Sequence, residues 1–300
     1  MTHSEPISAL PVKRVCAVHD LSCFGRCALT VVIPALSACG AQVVPLPTAL
    51  LSTHTGGFER EELCFVDLTE QMERILAHFD KLGLTFDAIY TGFLGSAEQI
   101  RLVERLLERF GSKDTLVMVD PVMGDDGVLY STYTEELMRG MRRLCRYAHV
   151  MTPNLTEACF LTDLPYRNTA EMNGEERTSY LEQICEGLSR VGARGKLVLT
   201  GIPEGEDILA VYAKDTETGE HFFHRLKRLP VEYPGTGDLF SSVLLGKLLR
   251  GEPFREAVAE TADYTAGVMA YSAKFDTPKR DGVALEAFLG ELAGKSPEQD

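Results

Sequence analysis

Four consecutive residues, Gly235, Thr236, Gly237 and Asp238, stand directly ahead of an apolar run, DLFSSVLLGKLL, that reads as a helix. The glycines permit close backbone approach to a ligand, and the amides of a helix N-terminus favour an anion. A carboxylate beside such a cradle is awkward for binding alone. It suits a base that takes a hydroxyl proton while that oxygen attacks phosphorus. The structural alternative is that Asp238 favours the helix dipole from the first turn while Thr236 caps the helix. These four residues leave both readings open. No Walker A pattern occurs, since GARGKLVL fails it and leads into a strand, and Phe240 takes the third glycine position of a dinucleotide fingerprint.

Further polar residues gather where apolar strands end. Asp120 closes the run TLVMVD and precedes Pro121, with Gly124, Asp125 and Asp126 nearby. Such a carboxylate can hold Mg²⁺ through retained waters, or simply belong to a turn. In TPNLTE, Asn154 and Glu157 have the spacing of an N-cap and its N3 partner, so they can close a capping box. Glu157 in a magnesium shell is the functional alternative. His54, between Thr53 and Thr55, can stack on or hydrogen-bond a heteroaromatic ring, or be a solvated loop histidine.

The elements that position these residues alternate. Strand-like runs occur at 14–19, 41–47, 87–93, 115–120, 148–152 and 196–200. Between most of them lie helical segments, one marked by Leu68, Met72, Ile75, Leu76 and Phe79, another by Ile100, Val103, Leu106, Leu107 and Phe110. Ser96 and Gln99 open the second in capping-box spacing. Alternation of this kind predicts an α/β fold with a mostly parallel sheet covered on both faces, whose ligands bind beyond the carboxyl ends of the strands. Runs at 208–213 and 221–229, with no helix between them, predict an antiparallel pair at one edge. No linker divides the chain, so one domain over 1–300 is expected, with frayed ends at 1–12 and 294–300.

With 300 residues and a net charge of −14, the chain suits neither a nucleic-acid backbone nor an anionic membrane. Its N-terminus lacks an apolar core of signal-peptide length, and CALTVVIPALSAC is too short to span a bilayer, so a soluble cytoplasmic protein is expected. Eight scattered cysteines form no CxxC pair and read as small buried thiols; a metal site at Cys16, His19, Cys23 and Cys27 is the weaker reading.

The motifs LPTALLSTHTGGF, YTGFLGSAEQI, VMVDPVMGDDGVLY, MTPNLTEACFLT, VLTG and PGTGDLFSSVLLGKLL, in this order, resemble the vitamin B6 kinases of the ribokinase-like superfamily over residues 14 to 275. The resemblance implies a three-layer fold, usually homodimeric, that phosphorylates the 5′-hydroxymethyl of pyridoxal, pyridoxine or pyridoxamine with ATP and Mg²⁺, often with a monovalent cation such as K⁺. It implies Asp238 as the base and Gly235, Thr236 and Gly237 as an anion hole. Asp120 and Glu157 match residues near the metal and phosphates, and Thr152, Asn154 and Thr200 match ATP-side contacts. His54, Thr55 and Phe93 fall where the family meets the ring. Asp20 stands where many members have serine, and Phe93 where the best-known members often have tyrosine. Hydroxymethylpyrimidine kinase of thiamine synthesis is the nearest alternative, although that branch typically shows GTGC or GSGC instead of GTGD. A catalytically silent pyridoxal-phosphate-binding relative is the alternative from another class, and the intact Asp238 and glycines speak against it.

Overall fold

A computed structural model describes residues 12–59, 62–130, 133–276 and 278–293. Of the ends expected to fray, all but Val12 lie outside these residues. The elements run β1 (Arg14–Phe24), α1 (Leu29–Ala38), β2 (Gln42–Thr53), β3 (Phe65–Asp67), α2 (Thr69–Leu82), β4 (Ala88–Thr91) and α3 (Ala97–Phe110). Then come β5 (Leu116–Val119), β6 (Gly124–Asp125), β7 (Val128–Leu129), α4 (Glu135–Leu144), β8 (Val150–Met151), α5 (Leu155–Thr162) and α6 (Gly174–Arg190). The chain continues through β9 (Lys196–Glu204), β10 (Ile208–Asp215), β11 (His221–Lys227), α7 (Thr236–Leu249) and α8 (Phe254–Ser272).

Among the described residues, nine strands form one sheet in the order β11-β10-β9-β8-β5-β4-β1-β2-β3. The six from β9 to β2 pair in parallel, and the expected antiparallel β10–β11 pair closes one edge. The other edge is antiparallel too, because three-residue β3 folds back on β2. Side-chain alternation divides the core. Cys16 and Val18 face a cluster filled by α2 to α6, whereas Val15 and Ala17 face one filled by α1, α7 and α8. A one-residue slip would exchange these faces, so burial fixes the register. Among the described residues, no helix is long and apolar enough to cross a membrane.

One departure from a flat sheet positions the site. Strand β4 pairs only with Val15–Val18 of β1, while β1 runs on alongside β2 to Phe24↔Thr53 after an irregularity between His19 and Leu21. The ends of β1 and β2 therefore rise above the carboxyl edge as a wall beside the α7 N-terminus.

Two local expectations need correction. Ser96 does cap α3, accepting from the Gln99 N–H at 3.2 Å, but Gln99 does not return the bond. Its Oε1 accepts from the Gly95 N–H and its Nε2 donates to the Thr48 carbonyl, which ties α3 to β2. The cysteines are all free among the described residues, but only five are buried; Cys23 and Cys64 are exposed and Cys27 is half-buried.

Candidate active site

Asp238 occupies the first turn of α7, whose N-cap is Gly235 with φ 77°. The conformation explains the glycine, and so does space, because a Cβ there would lie 2.1 Å from the Arg26 carbonyl oxygen. Thr236 is not the cap. It is the first helical residue, and its hydroxyl donates to the Tyr233 carbonyl at 2.7 Å. The first-turn amides of α7 lack intrahelical partners, and Gly237 is exposed, so the cradle opens to solvent.

Nor does Asp238 serve its own helix alone. Its Oδ2 accepts from the Ala28 N–H at 2.8 Å and lies 3.6 Å from Cys27 Sγ, at the start of α1. Its Oδ1 faces the His19 ring, with Nδ1 at 3.7 Å, beyond hydrogen-bond reach. Burial pushes the Asp238 carboxyl up to about 6, against the pull of the Ala28 amide. One oxygen is thus anchored and the other left for a proton.

Among the described residues, neither ring nitrogen of the wholly buried His19 has a partner, and burial holds its imidazole down to about 3. It packs edge-on against Tyr90, centroids 4.3 Å apart, and a Cβ at residue 92 would sit 2.2 Å from its Nδ1, so only glycine fits there. Ala28 takes φ 49° and ψ −130°, a conformation normally left to glycine.

Behind Asp238, Ser241 Oγ lies 3.0 Å from Asp120 Oδ2 and 2.8 Å from Thr152 Oγ1. Burial and then the Asp238 charge push Asp120 up to about 8. Asn154 and Glu157 form the expected capping box of α5, and Glu157 also accepts from the Met123 N–H at 3.0 Å. Burial and the Asp120 charge hold Glu157 well above the carboxylate range. Asn154 Nδ2 donates to the Gly124 carbonyl, securing the β6–β7 hairpin that lies within the DPVMGDDG stretch. Thr200 ends the parallel run of β9, its N–H donating to the Pro153 carbonyl at 3.0 Å.

On the other side of Asp238, Asp20 is buried on the β1 extension, with Oδ2 accepting from Ser22 Oγ at 2.9 Å. After burial, its negative charge adds to the raised proton affinity of Asp238 and Cys27. Burial lifts the Asp20 carboxyl. His54 is not the solvated loop histidine. Its Nδ1 accepts from the Gly56 N–H, so its Nε2 carries the proton and donates to the Arg280 carbonyl at 2.6 Å. Thr55 is exposed on the same loop, and Phe93 is half-buried at the end of β4.

Four carboxyl groups therefore succeed one another along the carboxyl edge: Asp20, Asp238, Asp120 and Glu157. Among the described residues, no lysine or arginine lies within 4.0 Å of any of them. Ala28 and Ser241 escape the sequence reading, and His19 and Cys27 enter it only through the weaker metal-site alternative, although His19 adjoins Asp20 and Ser241 follows Asp238 by one helical turn.

Comparison with known proteins agrees with this architecture. The phosphomethylpyrimidine kinase family profile matches residues 33–281. A Bacteroides thetaiotaomicron protein assigned to that activity, in its orthorhombic form with pyridoxal, is 39% identical at a TM-score of 0.86, covering 94% of this chain and 96% of that one. Pyridoxal kinase from Lactobacillus plantarum is 32% identical at a TM-score of 0.82, covering 94% and 97%. Pyridoxal kinase of Arabidopsis thaliana is 32% identical over 219 residues, which is 70% of this chain and 66% of the relative. The chain belongs to the phosphomethylpyrimidine kinase family, on a ribokinase-like fold.

Proposed function

We propose that this protein is a vitamin B6 kinase, a single kinase domain that transfers the γ-phosphoryl group of ATP to the 5′-hydroxymethyl of pyridoxal, pyridoxine or pyridoxamine. The observation that carries the reading is Asp238, with one oxygen held by Ala28 and the other free beside the α7 N-terminus. Oδ1 accepts the hydroxyl proton as the oxygen bonds to phosphorus and the bond to ADP breaks. The amides of Gly235, Thr236 and Gly237 face the charge on the transferring group. The proton leaves Asp238 to solvent after the product.

Asp20, His54, Thr55 and Phe93 line the ring side; Thr152, Asn154 and Thr200 lie on the ATP side. Asp120 and Glu157 suit Mg²⁺, since they are carboxyls whose proton affinity is raised by burial and then by a neighbouring carboxylate charge, which a cation would offset. Bound there, the ion would offset phosphate charge. A monovalent cation such as K⁺ is proposed as activator, and the cytoplasm as the compartment. Two copies form the working unit, a reading supported by the apolar rim of Phe24, Leu50, Phe65 and Val66 exposed at the β1–β3 edge.

The family match favours one other reading, hydroxymethylpyrimidine phosphorylation. Purified protein with Mg-ATP, offered pyridoxal and hydroxymethylpyrimidine separately, separates the two. Pyridoxal turnover that collapses by about 10³-fold or more in Asp238→Asn is the expected result. Turnover of the pyrimidine alone establishes the second reading, and turnover of neither defeats both.

A further inference from the structure

Resting on the B6 reading, we propose that His19 is the positioning residue of the base: its neutral ring donates from Nδ1 to Oδ1 of ionised Asp238 and holds that oxygen towards the substrate hydroxyl. Among the described residues, His19 is the one basic side chain within 4.0 Å of any of the four site carboxyls. It is wholly buried, and both ring nitrogens lack partners there. A neutral imidazole has one N–H to place, and a buried donor left unmade is costly. Asp238 has the complementary need. Its Oδ2 takes the Ala28 N–H and the Cys27 thiol, whereas among the described residues the one polar side chain near Oδ1 is the His19 ring, with Nδ1 at 3.7 Å.

The fold aims that ring. His19 is the first β1 residue past the pairing with β4, at the irregularity where the strand changes register and a side chain can be re-aimed. Tyr90 packs edge-on against it at 4.3 Å, and Gly92 leaves Nδ1 the space that a Cβ would fill. A movement of about 0.5 Å closes the remaining gap, and catalytic hydrogen bonds are commonly long until substrate draws them in. An ionised carboxylate oxygen accepts more than one donor, so Oδ1 can take the His19 N–H and the substrate hydroxyl together. The other ionisable groups in electrostatic reach of Asp238 are Asp20 on β1, Cys27 before α1, Tyr90 on β4 and Asp120 on β5. None of these can carry positive charge.

The first test measures kcat/KM for pyridoxal against pH, with Mg-ATP, in the native chain, His19→Phe and His19→Asn. Phenylalanine keeps a ring and loses the donor, while the asparagine amide returns an N–H at the Nδ1 position. In His19→Phe the acid limb should move up by about one pH unit, the scale of one hydrogen bond to a charged group. Turnover should fall about ten-fold on the acid side and stay within about three-fold of native above about pH 8. His19→Asn should restore the native limb. Packing alone does not move a titration, so a uniform loss with the limb unmoved, or an unaltered profile, overturns the proposal; with pyridoxal still turned over, the B6 kinase stands. A second test uses the native chain alone. Nitrogen NMR of histidine-labelled protein should show one ring neutral and protonated at Nδ1 from about pH 6 to 9, since burial keeps His19 uncharged. His54 and His149 accept backbone amides at Nδ1, so neither gives that signal. Its absence overturns the proposal. A native chain that turns over no vitamer overturns the B6 reading and the role of His19 in turnover together.

Discussion

Asp238 is held in an environment that disfavours its own charge, and the reaction requires that charge. Pushed up to about 6 by burial, it is protonated and idle in acid, so kcat/KM should fall as pH drops through about 6. Stability should run the other way. A carboxyl whose folded value exceeds its unfolded 3.8 holds its proton more tightly when folded, so folding loses free energy as pH rises between the two. Asp238→Asn removes the buried charge while its amide oxygen can still accept from Ala28. Its stability advantage over the native chain, read by denaturant melts, should grow from near nil at about pH 4 to about 2–3 kcal/mol at about pH 8. The motif around this residue was legible in the sequence because glycines, an acid and a helix stood in one contiguous run. His19 was not, because its importance comes from a 3.7 Å approach across 219 positions, and no spacing along the chain encodes that.

At the scale of elements, two helix N-termini meet at the base: α7 brings Asp238, and α1 brings the amide that holds it. Their junction is tight on one side and strained on the other. Gly235→Ala would drive a methyl into the Arg26 carbonyl at a positive φ, so loss of turnover by about 10²-fold or more is expected in steady-state assays. Ala28→Gly relieves φ 49°, ψ −130°, and thermal melts should show a gain of about 1 kcal/mol with the Asp238 bond retained. Most elements were readable from period and caps: the parallel strands as apolar runs, α3 and α5 from Ser96 and Asn154. Strand β3 and the β6–β7 hairpin were not. Three and two residues are too short for a period, and pairing with β2 or the pull of Asn154 on Gly124 makes them what they are.

Across the whole molecule, the mouth of the site is drawn together from distant parts of the chain. Arg26 donates its N–H to the Asp281 carbonyl, His54 reaches the Arg280 carbonyl, and Arg26 pairs with Glu286 at 2.8 Å. Behind these contacts Val283, Leu285 and Leu292 are buried against α1, α7 and α8. Leu285→Ala should therefore cost about 2–5 kcal/mol in denaturant melts and expose the 25–28 and 54–58 loops to limited proteolysis before the sheet unfolds. The clasp also has a meaning in time. A chain leaving the ribosome presents Asp20 and Ala28 early and Asp238 some two hundred residues afterwards, while Arg280 to Glu286 emerge later still, at about 5–20 residues per second. Until that stretch is free, the nascent chain has a growing sheet and an incomplete pocket. A product released early therefore carries the base without the mouth that closes around its substrate, and premature termination yields an inert protein rather than an unregulated kinase.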